Sequence, residues 1–413
     1  MILMNDDIPV LYFSLDDYVI KVLNNDFLPY SLKDFIKSTQ FTGPADLAKN
    51  GRCMDVLKDF LSGRILNLSK SNAKEILNSA GLQSVVKTSE RIKICIACRG
   101  LSITDNFWLK EDTEQIRFSD VNLRKKHLRD AAFEVSVLGH VLSVSKEILK
   151  PDIGTQGMFA KTWNRAENKI ELWKTDRTDE KINTKAEIRV SEILDKTNVP
   201  HVKYSGFEKD GVYMAVCECI ANDDISLVSG QDLKDWCEHT KKDFMSYVQS
   251  INKTLFAQMV VADYLLSNTD RHLENFSFLV DNKTNEIINM APLYDHNQAL
   301  VADLLGNDVS DLIYTPTGKT LKESAEAFFA DTDLRIDWDE LKKKNLLIFN
   351  GTELLMETRY KELHCKVQNR AECSSNKILY DCKKQAISLD ESIAVRTSKM
   401  EQNFTKRTDE FTK

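Results

Sequence analysis

The stretch from Ser267 to Leu300 constrains the fold of this chain more than any other. Phe276 to Val280 alternates as a strand does, Asn282-Lys283-Thr284-Asn285 is built of turn formers, and Glu286 to Met290 reads as the return strand. A hairpin brings its two ends together, so the pattern predicts that Asn275 and Asp295, twenty positions apart, lie side by side at its open end. Both carry oxygen ligands suited to a hard divalent cation such as Mg2+. Ahead of the hairpin, Ile251 to Leu266 has apolar residues at helical spacing and ends directly at Ser267-Asn268, so a buried helix is expected to present the loop between them.

That loop reads Asp270-Arg271-His272-Leu273-Glu274-Asn275. Protein kinases place a base-like Asp five residues before a metal-binding Asn, with a second metal-binding Asp downstream. Asp270, Asn275 and Asp295 fill those three places. A lone Asp or Asn beside a turn is more often a helix cap or a partner for nearby backbone. Here the spacing, the hairpin and a nucleotide-lobe pattern upstream occur together, and the combination points to phosphate transfer.

A chain of 413 residues has room for two to three lobes. The net charge of −7 and pI near 5.7 give no general pull toward nucleic acid or anionic membrane. No run of apolar residues is long enough to span a bilayer, and Met1 to Asp7 lacks a basic region before an apolar core, so the expected location is the cytoplasm. Nine scattered cysteines fit reduced thiols in that compartment. Cys95-Ile96-Ala97-Cys98 has metal or redox spacing, yet no second pair follows it, and its apolar filling reads as buried thiols in a strand.

The divisions expected are 1–145 as a small α+β module, 146–222 as a nucleotide-binding lobe, 223–400 as a helical catalytic lobe, and 401–413 as a frayed tail. In the module, Ile8 to Leu15 and Tyr18 to Leu23 read as strands. Ser31 to Ile36, Met54 to Leu61 and Ser69 to Asn78 read as helices, the last punctuated by Gly81. Arg99 to Leu109 reads as a packed loop to which no chemistry is assigned. Late in the chain, Leu341 to Phe349 and Glu353 to Leu363 read as helices.

In the nucleotide lobe, Ile153 to Trp163 carries Gly154, Thr155 and Gly157 ahead of a strand, and Lys169 to Lys174 forms the next strand. Such a turn lets backbone N–H groups approach phosphate oxygens, although two glycines alone also describe an ordinary β-turn. Lys174 shares its strand face with Ile170 and Leu172, so it needs a buried counter-charge; Lys161 is the competing candidate. Glu187 fits that counter-charge, and equally fits a capping box with Thr184, while Glu192 is a fallback partner. Val212 to Ile220 reads as a strand leading to a hinge, where backbone near Cys217, Glu218 and Cys219 would meet the adenine edge of ATP.

On these residues the chain resembles the HipA-like kinases, a family that includes bacterial toxin kinases and secreted relatives. Asn268-Thr269-Asp270-Arg271-His272-Leu273-Glu274-Asn275-Phe276 resembles their catalytic loop, and Ala291-Pro292-Leu293-Tyr294-Asp295 resembles their metal-binding motif. More loosely, Gly154 to Trp163 with Lys174 resembles their phosphate loop and nucleotide lysine, and Arg99 to Trp108 resembles a segment of firmicute members with an N-terminal extension. The resemblance implies an α+β, bilobal protein-kinase-like fold with a mostly helical C-terminal lobe. It implies an ATP- and Mg2+-dependent serine/threonine protein kinase: Asp270 orients the acceptor hydroxyl, Asn275 and Asp295 bind metal, and Lys174 binds nucleotide phosphates. It also implies autophosphorylation in the phosphate loop, with Thr155 as the candidate, and an antitoxin or regulatory partner for the N-terminal module. Phosphoinositide kinases use an Asp-Arg-His-x-x-Asn loop as well, so a lipid or small-molecule kinase is the rival reading. A nucleotide-binding pseudokinase is a further one.

Overall fold

The computed structural model describes residues 1–40, 44–64, 87–125, 160–166, 169–176, 178–343, 349 and 351–367. The expected helix at Ser69 to Asn78, the glycine turn with Gly154, Thr155 and Gly157, and the tail lie outside them. The chain gathers into two compact units. One comprises Met1–Ile188, Val202–Asn252 and Leu273–Pro292; the other comprises Arg189–His201, Lys253–His272 and the chain from Leu293.

The first unit is built on antiparallel sheets. Strands β1 (Ile2–Asn5), β2 (Ile8–Ser14), β3 (Val19–Val22), β4 (Thr39–Gln40) and, later in the chain, β5 (Phe107–Lys110) form a sheet of order β4-β3-β2-β1-β5. Helices α1 (Pro44–Gly63) and α2 (Thr88–Ala97) bury Met54, Leu57, Leu61, Ile92 and Cys95 against Leu3, Leu11, Phe13 and Ile20 of that sheet. Cys95 is thus on a helix, not in a strand. The residues Arg91 to Ala97 alternate too briefly to fix a period, and the buried Ile92 and Cys95 are three apart, which is helical spacing. Cys95 is buried and Cys98 half-buried, and burial pushes the Cys95 thiol up to about 11, which keeps it neutral and unreactive.

Ser31 to Ile36 forms turns instead of the expected helix. Asp34 adopts a left-handed backbone (φ 62°), fixed by Asn25, whose Oδ1 accepts from the Asp34 amide and whose Nδ2 donates to its carboxylate. A helix cannot pass through that conformation. Arg99 to Leu109 is no simple loop, because it ends in β5 with Trp108 wholly buried. The Trp108 indole donates to the Asp6 carbonyl at 2.7 Å. Arg64, after α1, binds Asp105 through both terminal nitrogens and the carbonyls of Gly100 and Phe107.

After the short helix α3 (Phe118–Val121), β6 (Ala160–Ala166) and β7 (Lys169–Thr175) open a sheet of order β6-β7-β9-β8, completed by β8 (Tyr204–Lys209) and β9 (Val212–Glu218). Helix α4 (Ile182–Leu194) lies between β7 and β8 in sequence. Ile170 joins a core with Met4, Leu101, Trp108 and Phe118, so the module's sheet and this one share packing within the unit. A third sheet, β10-β11-β12, contains β10 (Ile225–Ser229) and the foreseen hairpin, β11 (Ser277–Asp281) with β12 (Glu286–Met290). Helix α5 (Gly230–Thr240) follows β10 and is capped by Ser229, whose Oγ accepts from the Asp232 amide. The hairpin turn is anchored by Asn285. It is buried and left-handed (φ 55°), and its Nδ2 donates to the carbonyls of Asp26 and Leu28.

Helix α6 (Phe244–Leu265) is the expected apolar helix, longer by two turns and interrupted at Asn252 (φ −158°, ψ 88°). Its latter part belongs to the second unit, which is mainly helical: α7 (Val301–Leu304), α8 (Leu321–Phe328), α9 (Trp338–Lys343) and α10 (Thr352–Val367), with the small pair β13 (Ile313–Tyr314) and β14 (Lys319–Thr320). The last two helices correspond to the expected ones near Leu341 and Glu353. No helix among the described residues is long and apolar enough to cross a membrane.

Candidate active site

In the first unit, the side chain at the end of β7 behaves as its strand face requires. Lys174 is 4% exposed and Glu187 1% exposed. The Lys174 Nζ donates to both Glu187 carboxylate oxygens at 2.9 and 3.1 Å and to the Tyr204 hydroxyl at 3.3 Å. Thr184 does not cap α4. Asp176 takes that place, accepting at one carboxylate oxygen from the Thr184 amide at 2.9 Å and the Thr184 hydroxyl at 3.0 Å. The short run from Lys174 to α4 lets Asp176 reach the helix start, which leaves Glu187 to the lysine. Lys161 lies opposite Lys174 on β6 and is half-buried. Glu192, the fallback partner, is paired with Arg189 at 3.4 Å.

The residues expected at a hinge lie on or just beyond β9. The Glu218 carboxylate binds Lys169 Nζ at 2.7 Å in an exposed pair. The Cys219 amide donates to the Ile170 carbonyl at 2.8 Å, so this N–H is committed to the sheet. Burial raises the thiols of Cys217 to about 12 and Cys219 to about 11, so both are neutral near pH 7 and act as packing groups.

The hairpin register brings Phe278 opposite Met290, and the Ala291 amide donates to the Ser277 carbonyl at 2.8 Å. Asn275, buried at 7% exposure, lies two residues before that open end. Gly230 sets the local path. Its amide donates to the Phe276 carbonyl, and the next amide, of Gln231, donates to the Leu273 carbonyl. A Cβ on Gly230 would stand 2.6 Å from the Phe276 ring and 2.7 Å from the Leu273 carbonyl oxygen. Gly230→Ala is therefore expected to displace the segment carrying Asn275 and to destabilise the protein by about 1–3 kcal/mol, the range for overpacking a tight site. Denaturant unfolding of the variant measures this, and wild-type stability would refute it.

The second unit holds Asp270 and Asp295. Asp270 is partly buried, and its amide donates to Asn268 Oδ1 at 3.3 Å. Burial raises its pKa above the ordinary value; His272 and Arg271 oppose that shift, and Asp295 adds to it. Asp295 is 9% exposed, in a left-handed backbone (φ 58°), and accepts from Asn297 Nδ2 at 2.9 Å. That conformation is tolerated by Asp better than by most side chains and recurs where function over-determines the backbone.

Two buried carboxylates that sequence reasoning missed hold this loop. Asp263, on the last turn of α6, accepts from Asn268, from Arg271 twice and from the Tyr314 hydroxyl. Asp303 accepts from Ser267 Oγ at 2.7 Å and from both terminal nitrogens of Arg359. The signal was available: a charged residue inside the apolar run Met259-Val260-Val261-Ala262-Asp263-Tyr264-Leu265 needs a partner.

Among the described residues, no group of three or more His, Cys, Asp or Glu is gathered to hold a metal by itself. Asn275, in the first unit, offers an amide oxygen, and Asp295, in the second, a carboxylate. Both are oxygen donors of the kinds Mg2+ takes, an ion that keeps several waters and commonly binds one or two carboxylates plus substrate phosphates instead of an all-protein cage.

No family model matches the chain, and a search of curated proteins finds no match. Among solved structures, the HipA, HipB and operator DNA complex of the Shewanella oneidensis MR-1 toxin–antitoxin system aligns with a TM-score of 0.50 and 12% identity, covering 94% of this chain and 96% of that one. The Helicobacter pylori proinflammatory kinase CtkA aligns at a TM-score of 0.39 and 16% identity, covering 57% of this chain and 94% of that one, a likeness too loose to argue from. At such identities the first alignment speaks to architecture alone: the chain has an α+β, protein-kinase-like fold.

Proposed function

We propose that this chain is an ATP- and Mg2+-dependent phosphotransferase that transfers the γ-phosphate to a serine or threonine hydroxyl of a protein. In this reading Lys174, set by Glu187, binds nucleotide phosphates, and Gly154, Thr155 and Gly157 belong to the phosphate loop. Glu218 and Cys219 belong to the adenine-facing hinge, through atoms other than the Cys219 amide. Asp270 orients the acceptor hydroxyl, and Asn275 and Asp295 hold the metal, which would neutralise charge on the phosphates. Catalysis of this kind is positioning plus electrostatic stabilisation. The observation that carries the reading is the lysine at the end of β7 donating to both oxygens of a buried α4 glutamate. The kinase-like architecture and the Asp270, Asn275, Asp295 order support it.

The lobes and module expected from sequence, the location in the cytoplasm and Thr155 as an autophosphorylation site belong to the same proposal. The aligned HipA forms a complex with HipB, and a regulatory or antitoxin partner for the N-terminal module is proposed here on that parallel. The test is incubation of the purified protein with γ-labelled ATP and Mg2+, alone, with a protein extract, and with lipid vesicles. Label on serine or threonine of protein is expected. Label on lipid alone would give the rival reading, and nucleotide binding without transfer to any acceptor would make the chain a pseudokinase.

A further inference from the structure

We propose that Asp263, steadied by Tyr314, is the positioning residue that fixes the loop around Asp270 and the turn before Asp295 as one piece. The proposal rests on the phosphotransferase reading above. Asp263 Oδ1 accepts from Asn268 Nδ2 at 2.7 Å and from Arg271 Nη2 at 3.0 Å; its Oδ2 accepts from Arg271 Nε at 2.8 Å and from the Tyr314 hydroxyl at 2.7 Å. Both side chains of the Asp263 and Arg271 pair are fully shielded from solvent. The third guanidinium nitrogen, Arg271 Nη1, donates to the carbonyl of Tyr294 at 2.8 Å. One carboxylate therefore holds the chain on both sides of Asp270, at 268 and 271, and through a single planar guanidinium holds the residue that precedes Asp295.

The chemistry suits rigidity more than simple stability. Arg presents its donors in a fixed fork, so its angle toward Tyr294 follows from its angle toward Asp263. Burial opposes the charge on Arg271, and Asp263 outweighs it and keeps the guanidinium charged. A buried ion pair is a weak source of stability, because desolvating two charges offsets most of their attraction. What such a network can provide is one geometry. Tyr314, on β13, completes it from a distant part of the sequence, and its ring is buried at 4% exposure. None of these groups needs to touch substrate; each acts through Asp270 or Asp295.

Tyr314→Phe tests this, since it removes one hydroxyl and keeps the ring. Phosphate transfer and Mn2+ affinity in the presence of a non-hydrolysable ATP analogue, the latter by electron paramagnetic resonance, are measured for the wild type and Tyr314→Phe. Asp263→Asn is a second variant. Thr332→Val, which loses a hydrogen bond to the Phe329 carbonyl in the same unit without touching Asp263 or Tyr314, is the control for stability. The expected result for Tyr314→Phe is a kcat lower by about tenfold, as small misplacements at a reacting centre produce, with KM for ATP within about twofold and weaker Mn2+ binding. Thr332→Val should leave both readouts unchanged. Unchanged kcat and Mn2+ affinity in Tyr314→Phe overturn the proposal, as does a loss of rate that disappears once corrected for folded fraction. If the wild type transfers no phosphate, the functional reading fails and the Mn2+ measurement decides positioning alone. A wild type that binds no Mn2+ overturns both.

Discussion

Replacing Lys174 with Ala is expected to abolish measurable phosphate transfer and to destabilise the protein by about 3–5 kcal/mol, the cost of leaving one member of a buried ion pair uncompensated. Glu187 is 1% exposed and its carboxylate receives the lysine through both oxygens, so water cannot replace the lost cation without opening the sheet. A single substitution cannot separate a structural pair from a nucleotide-binding one. The double variant Lys174→Met with Glu187→Leu can. Removing both charges and filling the space with apolar atoms is expected to restore stability to the wild-type level or above it, because apolar replacements of buried pairs are often neutral or stabilising. Transfer should stay lost. Denaturant unfolding and a labelled-ATP assay read the two outcomes separately, and a double variant with normal stability and wild-type transfer would show the pair to be structural only.

The sequence made the local elements of this region legible where a short-range pattern determines them. The hairpin from Ser277 to Met290 follows from alternation and from a turn of Asn, Lys and Thr, and the buried position of Lys174 follows from its strand face. Patterns shorter than a helical turn or two failed. Arg91 to Ala97 alternates like a strand and folds as a helix, because the face it buries repeats at three and four residues. Ser31 to Ile36 has helical composition, yet Asn25, nine residues away, holds Asp34 left-handed. The Thr184 and Glu187 spacing allowed two readings that only long-range contact separates: Asp176, eight residues earlier, caps the helix. The supports of the candidate site were the least legible. Asp263 and Tyr314 are 51 residues apart, and nothing local in Tyr314 announces its hydrogen bond. Sequence exposes candidate site residues by their spacing; it hides those that hold them, whose partners are set by the fold.

Asp270→Asn is expected to reduce transfer by about 10²–10⁴-fold, the usual contribution of a positioned acid or base, while ATP affinity stays within about twofold. The amide keeps the size of the side chain and removes the acceptor of the substrate proton. Its effect on stability should have the opposite sign. Burial raises the Asp270 pKa in the folded protein, with Asp295 adding and His272 and Arg271 opposing. A carboxyl whose folded pKa is raised contributes stability below its unfolded pKa, and that contribution is lost as pH rises through the folded value. At neutral pH the ionised carboxylate is thus a liability to the fold, and the neutral amide relieves it, so Asp270→Asn should be no less stable than the wild type and should gain relative to it as pH rises from the acid side. The same shift predicts the rate profile. Only the ionised form accepts a proton, so kcat should fall as pH drops, with its acid limb centred above the ordinary aspartate range, and the residual rate of the variant should lack that limb. Wild-type transfer by a fully folded Asp270→Asn, or an acid limb that survives in it, would take the role away from Asp270 and leave the loop a structural one.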